Sequence, residues 1–247
     1  MEFRGHDLSK LEKLDLAGLL TWVNERFPKR AGIGTSFQQS GMLLIDTRCR
    51  LKLEGIRIYT VDTERLLPET YDFIKTVERH YKTKIEVHLP DSKEVQKMVD
   101  RHGLYLFFDS KEKQEYCCYL RKVKPHDRVL EGLDVWITGL RRVQSESRVQ
   151  TPLYQIIEPA GRKLLKLNPL HDWTDNKIRE AVEKKKIPVH PLYSQSYPSF
   201  GCVICTTPIR PGEDKRAGRW RWFNAVDSKK ECGLHLPKKR NSVDSAE

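Results

Sequence analysis

Segments typical of strands alternate with segments typical of helices from residue 31 to about residue 186. Five segments are predicted strands: Ala31–Phe37, Ile56–Val61, Ile85–Leu89, Val135–Leu140 and Lys163–Leu167. Apolar residues at helical spacing predict helices at residues 8–26, Leu67–Tyr81, Ser92–His102 and Trp173–Lys186. A further helix is predicted to begin at Met42–Asp46. Such alternation is typical of a mostly parallel sheet with helices on both faces. We therefore predict an α/β fold.

The chain changes character after about residue 190, where the alternation stops and Pro, Arg and aromatic residues become frequent. We predict that residues 1–190 form an α/β nucleotide-binding domain. Residues 191–247 are predicted to be an irregular C-terminal segment packed on that domain. Within the helices, Pro68 is expected in a first turn, where proline is tolerated, and Thr174 is a plausible N-cap.

Basic residues exceed acidic ones, 45 to 34, which gives a net charge of +11 and a pI near 9.3. This surplus fits an anionic partner such as a nucleotide or nucleic acid, although many soluble proteins are basic without one. The mean hydropathy is −0.63, and no window of about 18 apolar residues occurs, so we expect no membrane span. The N-terminus lacks the apolar core of a secretory signal, so we expect a cytoplasmic protein.

Polar loops follow three of the predicted strands, at Ser36–Gly41, Asp62–Arg65 and Gly139–Arg148. In parallel α/β sheets, ligands bind beyond the carboxyl ends of the strands. We therefore expect the ligand site to include these loops.

Six cysteines are present, and in a reducing cytosol they are not expected to form a disulfide framework. Four of them form two pairs, Cys117-Cys118 and Cys202-Val203-Ile204-Cys205. Four thiolates can bind one zinc ion or an iron–sulfur cluster. The adjacent pair favours a cluster, because separate iron corners can each take one of two sequential cysteines. Zinc, or no metal at all, remains an alternative.

The remaining cysteines differ in their surroundings. Cys232 lies in the sequence KKECGLH, where neighbouring cations favour the nucleophilic thiolate. An ordinary tail thiol is the alternative interpretation of Cys232. Cys49 lies in a predicted helix and is expected to be a core residue. Arg121 and Lys122 follow the adjacent pair and could offset thiolate charge, or could belong to a solvated helix face.

Together, the two cysteine pairs and the segment Glu231–His235 resemble the assimilatory sulfonucleotide reductases. More narrowly, they resemble the iron–sulfur, thioredoxin-dependent adenylyl-sulfate (APS) reductases. The resemblance covers about residues 30 to 237, and further matching segments are Val61–Arg65, Pro68–Tyr71, Ile137–Arg142, Arg148 and Lys215–Trp220. Residues 36–42 depart from the family, reading SFQQSGM where many cluster-bearing relatives have SFSGAED. Residues 62–64 read DTE in place of the usual DTG.

The resemblance implies an adenine-nucleotide α-hydrolase-like fold and a [4Fe-4S] cluster on Cys117, Cys118, Cys202 and Cys205. It implies reduction of APS to sulfite and AMP, in sulfate assimilation for cysteine biosynthesis. Cys232 would be the catalytic nucleophile, forming an S-sulfocysteine from which reduced thioredoxin releases sulfite. Members of the family often form homo-oligomers, and no nucleic-acid or membrane partner is expected.

The resemblance also implies a set of substrate-binding residues. Ser36 would face the phosphate, while Thr63 and Gly139 would lie by the adenosine. Basic residues would surround the phosphosulfate: Lys122, Arg148, Arg216 and Arg219. Guanidinium groups suit that anion because they can bind its oxygens in pairs.

Three alternatives stay open. A 3′-phosphoadenylyl-sulfate (PAPS) reductase is the nearest, although enzymes of that kind generally lack the four cluster cysteines. An ATP-splitting enzyme on the same fold would need more glycine in the Ser36–Gly41 loop. A zinc-stapled nucleic-acid-binding protein would use Trp220 and Trp222 to stack on bases, but it leaves Cys117-Cys118 and Cys232 unexplained.

Overall fold

The architecture is a six-stranded sheet with crossover connections. The computed structural model describes residues 8–223 and Leu234. The strands are β1 (Ala31–Gly34), β2 (Ile56–Val61), β3 (Glu86–His88), β4 (Val135–Ile137), β5 (Tyr154–Ile157) and β6 (Leu164–Leu167). Their order across the sheet is β3-β2-β1-β4-β6-β5. β1 pairs in parallel with β2 and β4, and β4 with β6, whereas β5 is antiparallel to β6. The prediction of a mostly parallel α/β sheet is confirmed.

Burial explains which strands could be recognised in the sequence. β4 and β6 are buried at every position, and buried parallel strands have nearly continuous apolar sequences. β5 was not predicted, because none of its four residues is fully buried and its apolar residues do not alternate cleanly. Four of the five predicted strands are longer than those observed, since β1 ends at Gly34 and β4 at Ile137, for example, whereas β2 has its predicted bounds.

Seven α-helices are described: α1 (Leu16–Arg26), α2 (Gln39–Arg50), α3 (Pro68–Tyr81), α4 (Ser92–His102), α5 (Lys111–Cys118), α6 (Lys124–Glu131) and α7 (Asp175–Lys184). Pro68 is the first residue of α3, as predicted. The Thr174 hydroxyl caps α7 by accepting a hydrogen bond from the Lys177 backbone N–H at 3.2 Å. Both predicted helix starts are therefore confirmed.

Two predictions about helices need correction. The apolar pattern of residues 8–26 is divided into a short 3-10 turn, Lys10–Lys13, and α1. The division arises at Asp15, whose extended backbone and side chain cap α1 through the Gly18 N–H at 2.8 Å. Helices α5 and α6 were missed, because the five residues Tyr119–Val123 between them form a π-helical turn that interrupts the 3.6-residue period.

Contacts between Cα atoms divide the chain into two compact units that do not follow simple sequence order. The first unit comprises the described residues up to Thr60, then Glu69–Glu86 and Leu130–Pro191. The second comprises Val61–Pro68, Val87–Val129 and the described residues from Leu192 onward. The division into residues 1–190 and 191–247 stays a prediction.

Each unit has its own apolar core. In the first unit, buried side chains from β1, β4 and β6 pack with those of α1, α2 and α7. In the second unit, Met98, Leu106, Phe107, Cys117 and Leu120 form a smaller cluster. Cys49 is half-buried and packs against the core of the first unit, in agreement with its predicted place. Across the described part of the chain, none of the helices has the length and apolar character needed to cross a bilayer.

A buried histidine belongs to the core of the first unit. The His190 ring is 1% exposed, lies 4.8 Å from the Phe73 ring centroid, and its Nε2 is 3.2 Å from the Thr70 hydroxyl. Burial lowers the pKa of His190 to about 4, and the nearby Glu69 carboxylate opposes this only in part. The neutral imidazole is therefore the form that the folded protein holds.

We predict that His190 makes the protein less stable in acid. Between pH 6.5 and pH 4 the unfolded chain binds a proton that the folded His190 does not, so the free energy of unfolding falls across this window. The loss attributable to His190 is about 3 kcal/mol at most. Urea unfolding of His190→Gln at pH 7 and pH 4.5 should show a smaller acid loss than wild type. The exposed His80→Gln is the control, and an equal acid loss in all three proteins would contradict the prediction.

Candidate active site

The loop after β1 forms the first part of the candidate site. The Thr35 hydroxyl accepts a hydrogen bond from the Phe37 N–H at 2.9 Å, and Phe37 adopts a left-handed backbone with a φ of 59°. This sharp turn leads directly into α2. Ser36 lies at its exposed tip, where its hydroxyl accepts a hydrogen bond from the Gln38 side-chain amide at 3.3 Å. Ser36 therefore lies at the N-terminal end of a helix, where anions are favoured.

The loop after β4 packs directly on the first loop. A Cβ atom on Gly139 would lie 3.0 Å from the Ser40 Cβ and 3.2 Å from the Gly41 backbone nitrogen. Only glycine allows this approach without a shift of backbone. The structure thus places Gly139 against the start of α2, in the same unit as Ser36.

A buried arginine that the sequence analysis did not single out holds the two loops together. Arg141 donates hydrogen bonds to the Ser40 hydroxyl at 3.0 Å and to the Trp173 carbonyl at 3.0 Å, and its Nη2 lies 2.7 Å from Asp175. The Arg141 side chain is 8% exposed, so it acts as a structural brace. Its presence in the GLRR segment was visible in the sequence, but its burial was not.

Arg148 lies at the end of the same loop, on the short turn Glu146–Arg148. Its Nη1 donates to the Oε1 atom of Gln144 at 2.5 Å. Gln144 in turn contacts the Gly139 carbonyl through its amide nitrogen, at 3.4 Å. Of the predicted site residues, Gly139 and Arg148 are thus linked through one side chain.

The four paired cysteines line one cavity within the second unit. Cys117 and Cys118 end α5, immediately before the π-helical turn. Cys202 precedes the short turn Val203–Cys205, in which the Cys205 N–H bonds to the Cys202 carbonyl at 3.0 Å. The predicted convergence of the two cysteine pairs is therefore present in the geometry.

Two polar side chains contact these thiols. The Thr63 hydroxyl lies 3.1 Å from the Cys202 sulfur, and the Gln114 amide donates to the Cys118 sulfur at 3.1 Å. The structure places Thr63 against a cysteine, whereas the sequence analysis expected it by the adenosine. Burial raises the pKa values of the Cys117, Cys118 and Cys205 thiols.

Positive charge surrounds the same cavity, whose lining includes Arg65, Arg121 and Lys122. Arg121 is 8% exposed; its Nη1 donates to the Thr63 carbonyl at 2.9 Å and lies 3.1 Å from the Glu64 carboxylate. Burial lowers the pKa of Arg65, helped by the charge of Arg121. The Arg65 Nη1 and Arg121 Nε atoms are buried without a hydrogen-bond partner among the described residues. Unsatisfied buried cationic donors fit an anionic group in this cavity.

The donors that the cysteine cavity offers are sulfur atoms. Within residues 8–223 and Leu234, no three Cys, His, Asp or Glu side chains stand in a group that could hold a metal ion. Four thiols, the buried Arg121 and the half-buried Arg65 still share one cavity lining. Four thiols are a donor set that fits an iron–sulfur cluster or a zinc ion.

The other predicted basic residues lie near the Cys202–Cys205 turn. The Arg219 guanidinium is buried against Gly201, where an added Cβ would lie 2.7 Å from Nη1, and it lies 4.7 Å from the Trp220 ring centroid. Arg216 donates to the Ser199 hydroxyl at 3.5 Å. The predicted nucleophile, Cys232, lies outside the described residues.

Comparisons with known proteins agree on one family. The sequence profile of the phosphoadenosine phosphosulfate reductase domain matches residues 34–208. An adenosine 5′-phosphosulfate reductase of Sinorhizobium fredii is 41% identical over 234 residues, covering 95% of this chain and 91% of the relative. A protein of the same name from Allochromatium vinosum is 43% identical over 201 residues, covering 81% and 77% of the two chains.

Solved structures show the same fold at lower identity. A PAPS reductase from Candida auris superposes with a TM-score of 0.69 at 23% identity, over 84% of this chain and 99% of the other. An FMN adenylyltransferase from Candida glabrata superposes with a TM-score of 0.52 at 14% identity, over 100% and 80% of the two chains. Both support the predicted adenine-nucleotide α-hydrolase-like architecture. By its sequence match and its fold, this chain belongs to the sulfonucleotide reductases, the family of the phosphoadenosine phosphosulfate reductase domain.

Proposed function

We propose that the protein reduces APS to sulfite and AMP in assimilatory sulfate reduction for cysteine biosynthesis. The named relatives that are about 40% identical over most of the chain support APS as the substrate. The observation that carries the proposal is the cavity that gathers both cysteine pairs together with the buried Arg121 and the half-buried Arg65. A PAPS reductase is the second candidate, favoured by the description of the matching family domain.

We infer a [4Fe-4S] cluster held by Cys117, Cys118, Cys202 and Cys205. When bound, such a cluster supplies a compact anionic centre that fixes the surrounding donors. Ligation keeps thiols deprotonated, which overcomes the effect of burial on Cys117, Cys118 and Cys205. Arg65 and Arg121 would give their unused N–H groups to this anion, and Thr63 and Gln114 would orient two of the ligands.

The residues of the first unit suit the nucleotide part of the substrate. Ser36 offers a hydroxyl at the start of α2, and Gly139 brings backbone close to the same helix end. Arg148 would bind the phosphosulfate, whose oxygens match a guanidinium fork. Within the second unit, Lys122, Arg216 and Arg219 are proposed to stabilise negative charge on phosphate and sulfonate oxygens. Thr63 is proposed as a nucleotide contact in addition to its contact with Cys202.

The sulfur chemistry would use Cys232 as nucleophile. Its thiolate attacks the sulfur of APS, the bond from sulfur to the phosphate oxygen breaks, and AMP leaves with the bonding electron pair. The product is an S-sulfocysteine on Cys232. Reduced thioredoxin then attacks the Cys232 sulfur and releases sulfite, and its second thiol resolves the mixed disulfide. The dithiol supplies the two electrons that reduce sulfate sulfur to sulfite.

Loss of one ligand should remove the cluster. Cys118→Ser is expected to reduce the iron and acid-labile sulfide content from about four atoms each per chain to a small fraction, because serine is a poor ligand for iron. Cys49→Ser is the matched control, since Cys49 packs in the core of the first unit. Metal analysis and visible absorbance after anaerobic purification measure both. Zinc in the wild-type protein, or undiminished iron in Cys118→Ser, would contradict the proposed cofactor.

Sulfite release distinguishes the substrates and tests the nucleophile. With reduced thioredoxin, the wild-type protein is expected to release sulfite from APS and much less from PAPS. Cys232→Ser should release none while keeping its iron, because a serine hydroxyl is a far weaker nucleophile at neutral pH. Faster release from PAPS would favour the second candidate. An active Cys232→Ser would show that another group attacks sulfur.

A further inference from the structure

Gln144 lies within the first unit between two of the proposed substrate-binding residues. Its Oε1 accepts two hydrogen bonds, from the Arg141 backbone N–H at 3.1 Å and from Arg148 Nη1 at 2.5 Å. Its Nε2 donates to the Gly139 carbonyl at 3.4 Å. One half-buried side chain therefore contacts both Gly139 and Arg148, two of the proposed substrate-binding residues.

The surrounding structure fixes Gln144 itself. It ends the turn Arg142–Gln144, where its backbone N–H donates to the Arg141 carbonyl at 3.3 Å and its Oε1 accepts from the Arg141 backbone N–H. Arg141 is in turn anchored by the Ser40 hydroxyl and Asp175. Rotation of Gln144 would break contacts at both ends, so its amide is held in one orientation.

Only a neutral amide can make this set of contacts. A glutamate could accept from Arg148 and Arg141, but it would set a carboxylate against the Gly139 carbonyl. A lysine could not accept at all. The amide also brings no negative charge to Arg148, whereas a carboxylate at the same position would cancel positive charge where an anion is proposed to bind.

We propose that Gln144 is a positioning residue for the sulfonucleotide. It holds the Arg148 guanidinium toward the phosphosulfate without reducing its charge, and it fixes the Gly139 peptide beside the adenosine. The inference rests on the proposed function, because it assigns Arg148 and Gly139 to the substrate. It adds a residue that determines how strongly the anionic part of the nucleotide is bound.

Gln144→Glu is the sharpest test of this proposal. Calorimetry would measure the affinities of the variant and of the wild type for AMP and, separately, for adenosine. The affinity for AMP is expected to fall about tenfold or more, since hydrogen bonds to charged groups contribute strongly. The affinity for adenosine, which has no phosphate, should change less than about threefold, in line with the long contact to the Gly139 carbonyl. In turnover, the KM for APS should rise more than kcat falls.

Two further variants keep the test decisive. Gln144→Met retains size and neutrality but removes the acceptor, so AMP binding should again weaken because Arg148 loses its hydrogen bond to Gln144. Gln150→Glu adds the same charge at an exposed position of the same segment and should bind AMP as the wild type does. Circular dichroism and urea unfolding identify any variant that has lost its fold.

The outcomes separate the inference from the function. If wild type releases sulfite from APS while Gln144→Glu and Gln144→Met bind AMP normally, the positioning role is wrong and the function stands. An equal loss of AMP and adenosine affinity would mean a structural role only, and would also overturn the inference. If the wild-type protein releases no sulfite from either sulfonucleotide, the proposed function itself fails.

Discussion

The parallel pairing of β1 with β4 is the constraint on which the nucleotide end of the first unit depends. Ile33 lies opposite Ile137, so the two strands end at the same level and their loops begin side by side. This arrangement lets Gly139 pack on Ser40 and lets Arg141 reach the Ser40 hydroxyl. Arg148 in turn donates a hydrogen bond to Gln144. Each contact depends on a backbone register that hydrophobic burial of β1, β4 and β6 maintains.

In the second unit, four thiols line one cavity together with the buried Arg121 and the half-buried Arg65. Buried charge is costly unless it is paired, and here Arg121 is paired with Glu64 and the Thr63 carbonyl. Arg65 Nη1 and Arg121 Nε have no hydrogen-bond partner among the described residues, and an anion in the cavity would accept from them. Lys122, Thr63 and Gln114 belong to the same lining. The proposed cofactor would supply such an anion.

Sequence patterns predicted the elements whose burial is continuous and the residues that occur in compact motifs. β2 was predicted with the bounds it has, and α4 likewise, because their apolar periodicity is unbroken. The cysteine pairs were recognisable from spacing alone. The role of Arg141 was not, since it depends on contacts with Ser40 and Asp175, which lie 101 and 34 residues away in sequence. The contacts of Gln144 are local, but they depend on side-chain orientation in an irregular loop that no sequence pattern marks. Thr63 shows the same limit, because only the fold brings its hydroxyl to Cys202.

The π-helical turn Tyr119–Val123 holds one residue more than an α-helical turn would hold between the cysteine pair and α6. Because the turn absorbs this extra residue, α6 keeps nearly the rotation about the helix axis that an uninterrupted α-helix would give it. Deleting one residue there would restore an ordinary helix and leave Lys124 beside Glu94, its ion-pair partner on α4. Lys122 lies inside the turn and lines the cysteine cavity, so the same deletion would displace it. A change of length in this segment should therefore disturb the cysteine cavity and spare the ion pair.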